Sequence, residues 1–229
     1  RIPQADLERE IRNIATSWEE RFTALSGMHE CILQTGREYQ AAFEPADAFA
    51  DLGAIREANA SGVSIEFYPL GEKPSEAGLK IFYERQEEER LILALKIFHA
   101  EDHLALSRRV PLLENLGFQV VSERTFDLEL PDAGKRIVLH DMELAHRDGR
   151  AIDLKTERAS LEEAFLAAFR GSIDDDSFNR LVLGANMTAR EAMVMRAYAR
   201  YLRQTRIAYS QGYIADTLNK YPAITSKLF

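Results

Sequence analysis

Apolar residues recur at steps of three and four through Leu7, Ile11, Ile14, Trp18, Phe22 and Leu25. This predicts a helix over about residues 4–33 with one buried stripe, and Gly27 is a candidate break. A packing stripe is the default for such a period; a coiled-coil or subunit contact is the alternative. Residues 43–60 read as a loop with short helical pieces. The period then becomes two in Val63-Ser64-Ile65-Glu66-Phe67 and, less strictly, in Leu79 to Glu84, with the turn-rich stretch Pro69 to Pro74 between them. Two antiparallel strands follow from that pattern. Glu87-Glu88-Glu89 reads as a solvated turn.

Leu91 to Phe98 is the most apolar strand candidate and is expected at the centre of a sheet. A helix follows, with Ser107 as candidate N-cap and Val110, Leu113 and Leu116 as its stripe. Pro111 sits early in it, where a missing amide donor costs least, and Gly117 is a stop. Phe118 to Leu130 and Arg136 to Leu144 read as strands around a Pro131 to Gly134 turn. Leu161, Ala164, Phe165, Ala168 and Phe169 mark a helix ending at Gly171. From Leu91 to Gly171 the order is strand, helix, strand, strand, helix: a split β-α-β order without its last strand. The earlier hairpin could supply sheet edges in its place. Beyond it, Asp176 or Ser177 caps a short helix through Leu181 and Val182. Thr188 and Glu191 form a capping-box pattern opening a helix to about Arg206, with Met195, Tyr198 and Leu202 as its apolar face. Ser210 caps a further helix that stops before Pro222.

The 229 residues are 46% hydrophobic and 29% charged, enough to bury one or two cores and too apolar for a disordered chain. No apolar run reaches a membrane span of about 18 residues, and the amphipathic start is not a secretory signal. Cys31 stands alone, which fits a reducing compartment and a cytoplasmic location. The charge is uneven: residues 1–186 carry −13 and residues 187–229 carry +5. An acidic body argues against a nucleic-acid binder, while the basic end can dock on an acidic neighbour, in this chain or another. Arg1 in place of a methionine and an unterminated apolar end at Leu228-Phe229 are expected of a segment from a longer chain, and equally of a processed or trimmed complete protein.

Candidate chemistry is sparse. No G-x-G, no G-x-x-x-x-G-K-[ST] and no G-x-S-x-G exists among the scattered glycines, so no phosphate cradle or nucleophile elbow is expected. His99 and His103 have a spacing that could share a metal on a helix, but they read as a strand-to-helix loop. His140-Asp141 lies within a strand, where His140 reads as a structural histidine. Cys31 has only His29 near it in sequence. Asp174-Asp175-Asp176 lacks EF-hand spacing, and capping explains it. Arg196, Arg200 and Arg203 share a helix face: a solvated face by default, an interaction face that grips carboxylates in the sharper reading.

The run FNRLVLGANMTAREAMVMRAYARYLRQTRIAYSQGYIADTLNKYPAI resembles a stretch of the large bacterial NAD-specific glutamate dehydrogenases. YPLGEKPSEAGLKIFY, VPLLENLGFQVVSER and IVLHDMEL look like upstream segments of the same family. The resemblance covers about residues 63–229 and is most specific from Phe178 to Ile224. It implies the last ACT-like domain and the start of a helical motif, with the catalytic domain following elsewhere. It implies NAD and L-glutamate oxidation for the intact enzyme, no cofactor and no catalytic residue in this stretch, and contacts with the enzyme's own catalytic domain and neighbouring subunits. In ACT domains the first strand–helix junction often takes an amino acid beside a glycine. Here that junction holds His99, Asp102 and His103 without glycine, which favours an assembly role over sensing.

The expectation is an α+β chain: a helical segment over 1–60, an ACT-like antiparallel sheet with helices on one face over 61–171, and a helical motif over 172–229. The expected role is a non-catalytic regulatory and assembly segment. The rivals are an amino-acid-sensing module and a small enzyme using His99, His103 or His140.

Overall fold

The computed structural model describes residues 16–26, 33–69, 92–100, 105–130 and 135–228. Helix α1 (Trp18–Ser26), strand β1 (Gln34–Thr35), α2 (Arg37–Ala42) and α3 (Pro45–Ser61) lead into β2 (Val63–Pro69) and β3 (Ile92–Ala100). Then come α4 (Leu106–Asn115), β4 (Phe118–Leu130), β5 (Lys135–His146) and α5 (Leu154–Phe169). A 3-10 turn (Ser177–Arg180), α6 (Leu181–Gly184), α7 (Ala189–Gln204), α8 (Gln211–Lys220) and α9 (Pro222–Thr225) complete the chain. The first part of the expected N-terminal helix, the expected strand Leu79 to Glu84, the turns around Glu72, Glu88 and Asp132, and His29 and Cys31 lie outside the described residues.

The five strands pair antiparallel in the order β1-β4-β5-β3-β2. β3, α4, β4, β5 and α5 follow the split β-α-β order. The edge beside β3, where a closing strand would lie, is filled by the upstream β2. Phe67 in that strand donates its amide to Glu162 Oε1 of α5 at 3.3 Å.

Helices α4 and α5 lie on one face of the sheet, as expected of the ACT-like unit, and the N-terminal helices cover the other. On the first face, Val63, Ile65, Phe67, Leu95, Ile97, Met142 and Leu144 pack against Leu113 of α4 and Leu161 and Phe165 of α5. On the second, Phe98, Phe126, Leu128, Ile137 and Leu139 pack against Trp18, Tyr39, Phe43, Leu52 and Ile55. Residues 16–61 and the sheet therefore share a core. Trp18 Nε1 closes it with a 2.9 Å bond to the Phe43 carbonyl. Strand β4 serves both cores because its register shifts between Val120 and Ser122. Before the bulge Phe118 faces the first core; after it Phe126 and Leu128 face the second. One extra residue inverts the alternation.

Two expectations change. Residues 45–61 form one helix, α3, rather than a loop with short pieces. Its buried positions Ala48, Leu52, Ile55 and Ala58 keep helical spacing, and Glu44 with Asp47 forms the capping box ahead of Pro45. Helix α4 begins at Leu106 after Ala105, so Ser107 is not its cap.

Burial holds the Glu162 carboxyl above its usual range, with Glu66 and Glu57 adding repulsion against the opposing effects of the Phe67 amide and Arg158. The folded chain thus retains this proton where the unfolded chain has lost it. The Glu162 contribution to stability then declines as pH rises from about 4.5 through the raised folded value. Glu162→Gln keeps an acceptor for Phe67 and should flatten that decline. Urea midpoints of wild type and variant between about pH 5 and pH 7 check this; parallel pH profiles would count against it.

Candidate functional site: the joint between sheet and helical motif

Helix α5 ends at Gly171, whose φ of 72° lets the chain reverse. The Ser172 amide returns to the Ala167 carbonyl at 2.8 Å. A short acidic connector then leads to the 3-10 turn, which Asp176 caps by accepting from the Phe178 amide at 3.0 Å. The Thr188–Glu191 capping box starts α7. Ala189, Ala192 and Ala199 on its buried side let its backbone approach the first core closely.

Arg196 is the polar centre of this arrangement, with only 1% of its side chain exposed. Its Nε donates to both Asp176 oxygens at 3.0 and 2.9 Å, and its Nη2 to Asp176 Oδ1 at 2.8 Å. Nη2 also donates to Asn179 Oδ1 at 2.7 Å and to the Asp174 carbonyl at 3.2 Å. Asn179 returns a bond from Nδ2 to the same carbonyl at 3.0 Å, and the guanidinium carbon lies 5.6 Å from the Phe178 ring centroid. A planar fork of fixed donors suits this set, and charge-assisted bonds are the strong ones. One turn on, Arg200 Nη2 donates to Asp174 Oδ2 at 2.9 Å. Further ties run from Asn219 of α8 to the Ser177 carbonyl and from Arg150 to the Leu183 carbonyl.

The expected interaction face therefore divides. Arg196 is not on it; it is spent on a clamp within the chain, because the connector carries its carboxylate to the buried side of α7. Arg200 and Arg203 are exposed. The expected apolar face of α7 divides as well: Met195 is buried, while Tyr198 and Leu202 are 63% and 40% exposed.

At the strand–helix junction, His99, next to last in β3, sets its ring against Phe169 at 6.0 Å between centroids; Asp102 and His103 lie outside the described residues. Beside it, Arg108 stacks on Phe169 at 4.4 Å and donates to the Phe169 carbonyl at 2.7 Å. These contacts line a groove of about 450 Å³ between the start of α4 and the end of α5. His140 and Asp141 are no pair, because neighbours on a strand face opposite ways. His140 Nδ1 meets Glu123 and Thr125 at 3.1 and 3.2 Å, beside Arg109 of α4. Asp141 instead accepts from Tyr68 and Arg124 on the other face, both at 2.6 Å. Among the described residues no group of three or more His, Cys, Asp or Glu could hold a metal ion. The strands pair antiparallel throughout, and Gly62, Gly117 and Gly171 end helices rather than opening one after a parallel strand.

The glutamate dehydrogenase ACT3 domain profile matches residues 64–157, and the glutamate dehydrogenase helical motif 3 profile matches residues 173–229. Three relatives, each named NAD-specific glutamate dehydrogenase, align with the chain. That of Halomonas elongata is 41% identical over 69% of this chain and 10% of the relative. That of Pseudomonas aeruginosa is 37% identical over 64% and 9%. That of Mycobacterium tuberculosis is 31% identical over 83% and 11%. The chain belongs to the large NAD-specific glutamate dehydrogenases.

It spans about a tenth of the length of those relatives. Within this glutamate dehydrogenase segment, the ACT3 match ends inside α5 and the helical-motif match begins in the connector. Between them the chain does not loosen: Leu161, Phe165 and Ala168 of α5 share one core with Leu181, Leu183, Met187 and Ala192 of the motif. The Arg196 clamp lies just past that boundary. Helical spacing places Arg196 on α7, but its partner Asp176 lies twenty residues upstream, beyond the reach of that spacing.

Proposed function

We propose that this chain is a non-catalytic regulatory and assembly segment of a large NAD-dependent glutamate dehydrogenase. The intact enzyme oxidises L-glutamate to 2-oxoglutarate and ammonia while reducing NAD. The observation that carries this reading is the pair of matches, an ACT domain followed by a helical motif, neither of which is a catalytic domain. The single core shared by sheet and motif supports a mechanical role: a displacement of the sheet moves α7 and α8 with it, because close-packed interiors transmit strain. In this reading the exposed side of the motif, with Arg200 and Arg203, faces the enzyme's own catalytic domain or a neighbouring subunit. The enzyme works in the cytoplasm, any effector is an amino acid, and NAD is held by the catalytic domain. Among the described residues no helix is long and apolar enough to cross a membrane.

The test is an NADH absorbance assay of the purified 229-residue chain with L-glutamate and NAD. No turnover is expected, and calorimetry should detect no NAD binding. Turnover by the chain alone would overturn the proposal.

A further inference from the structure

We propose that the exposed tyrosine–arginine face of α7 docks on the acidic N-terminal layer of a second copy of this chain, joining copies head to tail. This rests on the assembly role proposed above and names its partner. Residues 193–213 contain four arginines and four tyrosines but no lysine, aspartate or glutamate. Aromatic residues, arginine and methionine are enriched at the centres of protein interfaces, and lysine and acids are depleted there. The buried side of α7 uses Met195, Arg196 and Ala199. Tyr198, Tyr201 and Leu202, neighbours at helical spacing on its other side, are all exposed. Every residue from Tyr201 to Ser210 is exposed. Just beyond, the exposed rings of Tyr209 and Tyr213 stack at 4.9 Å between centroids. Aromatic surface gathered in this way, rimmed by arginines, marks a contact site.

Charge selects the partner. Arg200, Arg203 and Arg206 are exposed beside the tyrosines, so two such faces repel and α7 does not pair symmetrically with α7. The far side of the molecule has the matching character. Residues 16–26 and 33–69 carry eight acids against three bases. They pack on the second face of the sheet, whereas the motif belongs to the first core. On α3 of this layer Phe49 is exposed together with Ala46, Ala50 and Gly53, an apolar patch against which tyrosine rings can lie. Glu57 is exposed two turns further along α3, and Glu19, Glu20 and Glu38 are exposed on α1 and α2. A basic aromatic head and an acidic tail on opposite faces make a contact between unlike surfaces. Such a contact repeats from copy to copy until a ring closes.

Sedimentation equilibrium of the 229-residue chain is the test. The average mass should rise with concentration. Raising sodium chloride from about 50 mM to about 500 mM should weaken association about tenfold. A head variant carries Tyr201→Ser with Arg203→Ser, and a tail variant carries Phe49→Ser with Glu57→Gln. All four side chains are exposed, so circular dichroism should show both variants folded. Each alone should associate at least about tenfold more weakly than wild type. Mixed in equal amounts, the two variants should form a one-to-one pair at nearly wild-type affinity, because together they retain one intact head and one intact tail. A chain that stays monomeric at every concentration would overturn the proposal and leave the face to the enzyme's own catalytic domain. Association that the tail variant leaves intact would mean symmetric pairing and overturn it as well, as would a mixture that forms no pair. Each of these failures leaves the assembly role standing, since that role answers to the turnover assay.

Discussion

Arg196→Met should lower the unfolding free energy of the chain by about 3 kcal/mol, near the lower end of what breaking a buried pair costs. The lower end applies because Asp176 keeps 31% of its side chain exposed and can rehydrate. Asn179 cannot: it is 1% exposed and loses the donor to its amide oxygen. For a chain of this size the thermal midpoint should fall by roughly 6–12 °C. The loss should be local before it is global. Amide exchange should accelerate in Ala189–Gln204 and Gln211–Lys220 and change little in Phe118–Leu130. Arg196→Lys keeps the charge without the fork and should fall between the two. Arg203→Met is the control, expected within about 0.5 kcal/mol because Arg203 is exposed. Equal losses in Arg196→Met and Arg203→Met would remove the clamp from the account.

Much of the fold is legible in residue order, for reasons that are local. Thr188 with Glu191, and Ser210 before α8, satisfy helix amides within a few residues, so capping chemistry locates both helix starts. The alternation in Val63 to Phe67 and the apolar run of β3 mark strands whatever lies beyond them. Helix α3 is harder to read. Its stripe contains Ala48 and Ala58, which differ little from the alanines on its exposed side, and its capping box uses Glu44 and Asp47 rather than Ser or Thr. The β4 bulge is invisible for a related reason: strict alternation has no place for an extra residue, and only the partner strand reveals it.

The candidate site was half legible. Arg196 stood out by helical spacing, but its burial depends on a partner brought in by Gly171 and the connector. The same limit applied to Asp141. Alternation along β5 turns it away from His140, but its partners Tyr68 and Arg124 come from other strands. Lys96 carries a local signal of its own: it is one ammonium within the apolar run Leu93-Ala94-Leu95-Lys96-Ile97-Phe98. Lysine is seldom buried unless paired.

Lys96→Met should cost about 3–5 kcal/mol, the largest effect expected on the second face of the sheet. Lys96 Nζ donates to both oxygens of Asp51 in α3 at 2.7 and 2.6 Å, and both side chains are nearly fully buried. The ammonium also sits over the Phe43 and Tyr68 rings at 4.8 and 5.4 Å. Across the sheet, register aligns Glu66, Lys96, Asp141 and Arg124 in one row of alternating charge. Removing the ammonium leaves the Asp51 charge in a core built from Phe43, Leu52 and Ile55 with its main counter-charge gone. Asp51→Asn should cost less, since the amide oxygen still accepts from Lys96. The double change Asp51→Leu with Lys96→Met should recover most of the loss, because replacing both partners by apolar groups removes two desolvation costs along with the bond. Chemical denaturation of these variants together with Asp51→Leu, which closes the double-mutant cycle, measures the coupling. If the double variant recovers stability while α3 exchanges its amides faster than in wild type, the pair serves to orient α3 on the sheet. If the double variant is as weak as Lys96→Met, a fixed ion pair between helix and sheet is the wrong description of this core.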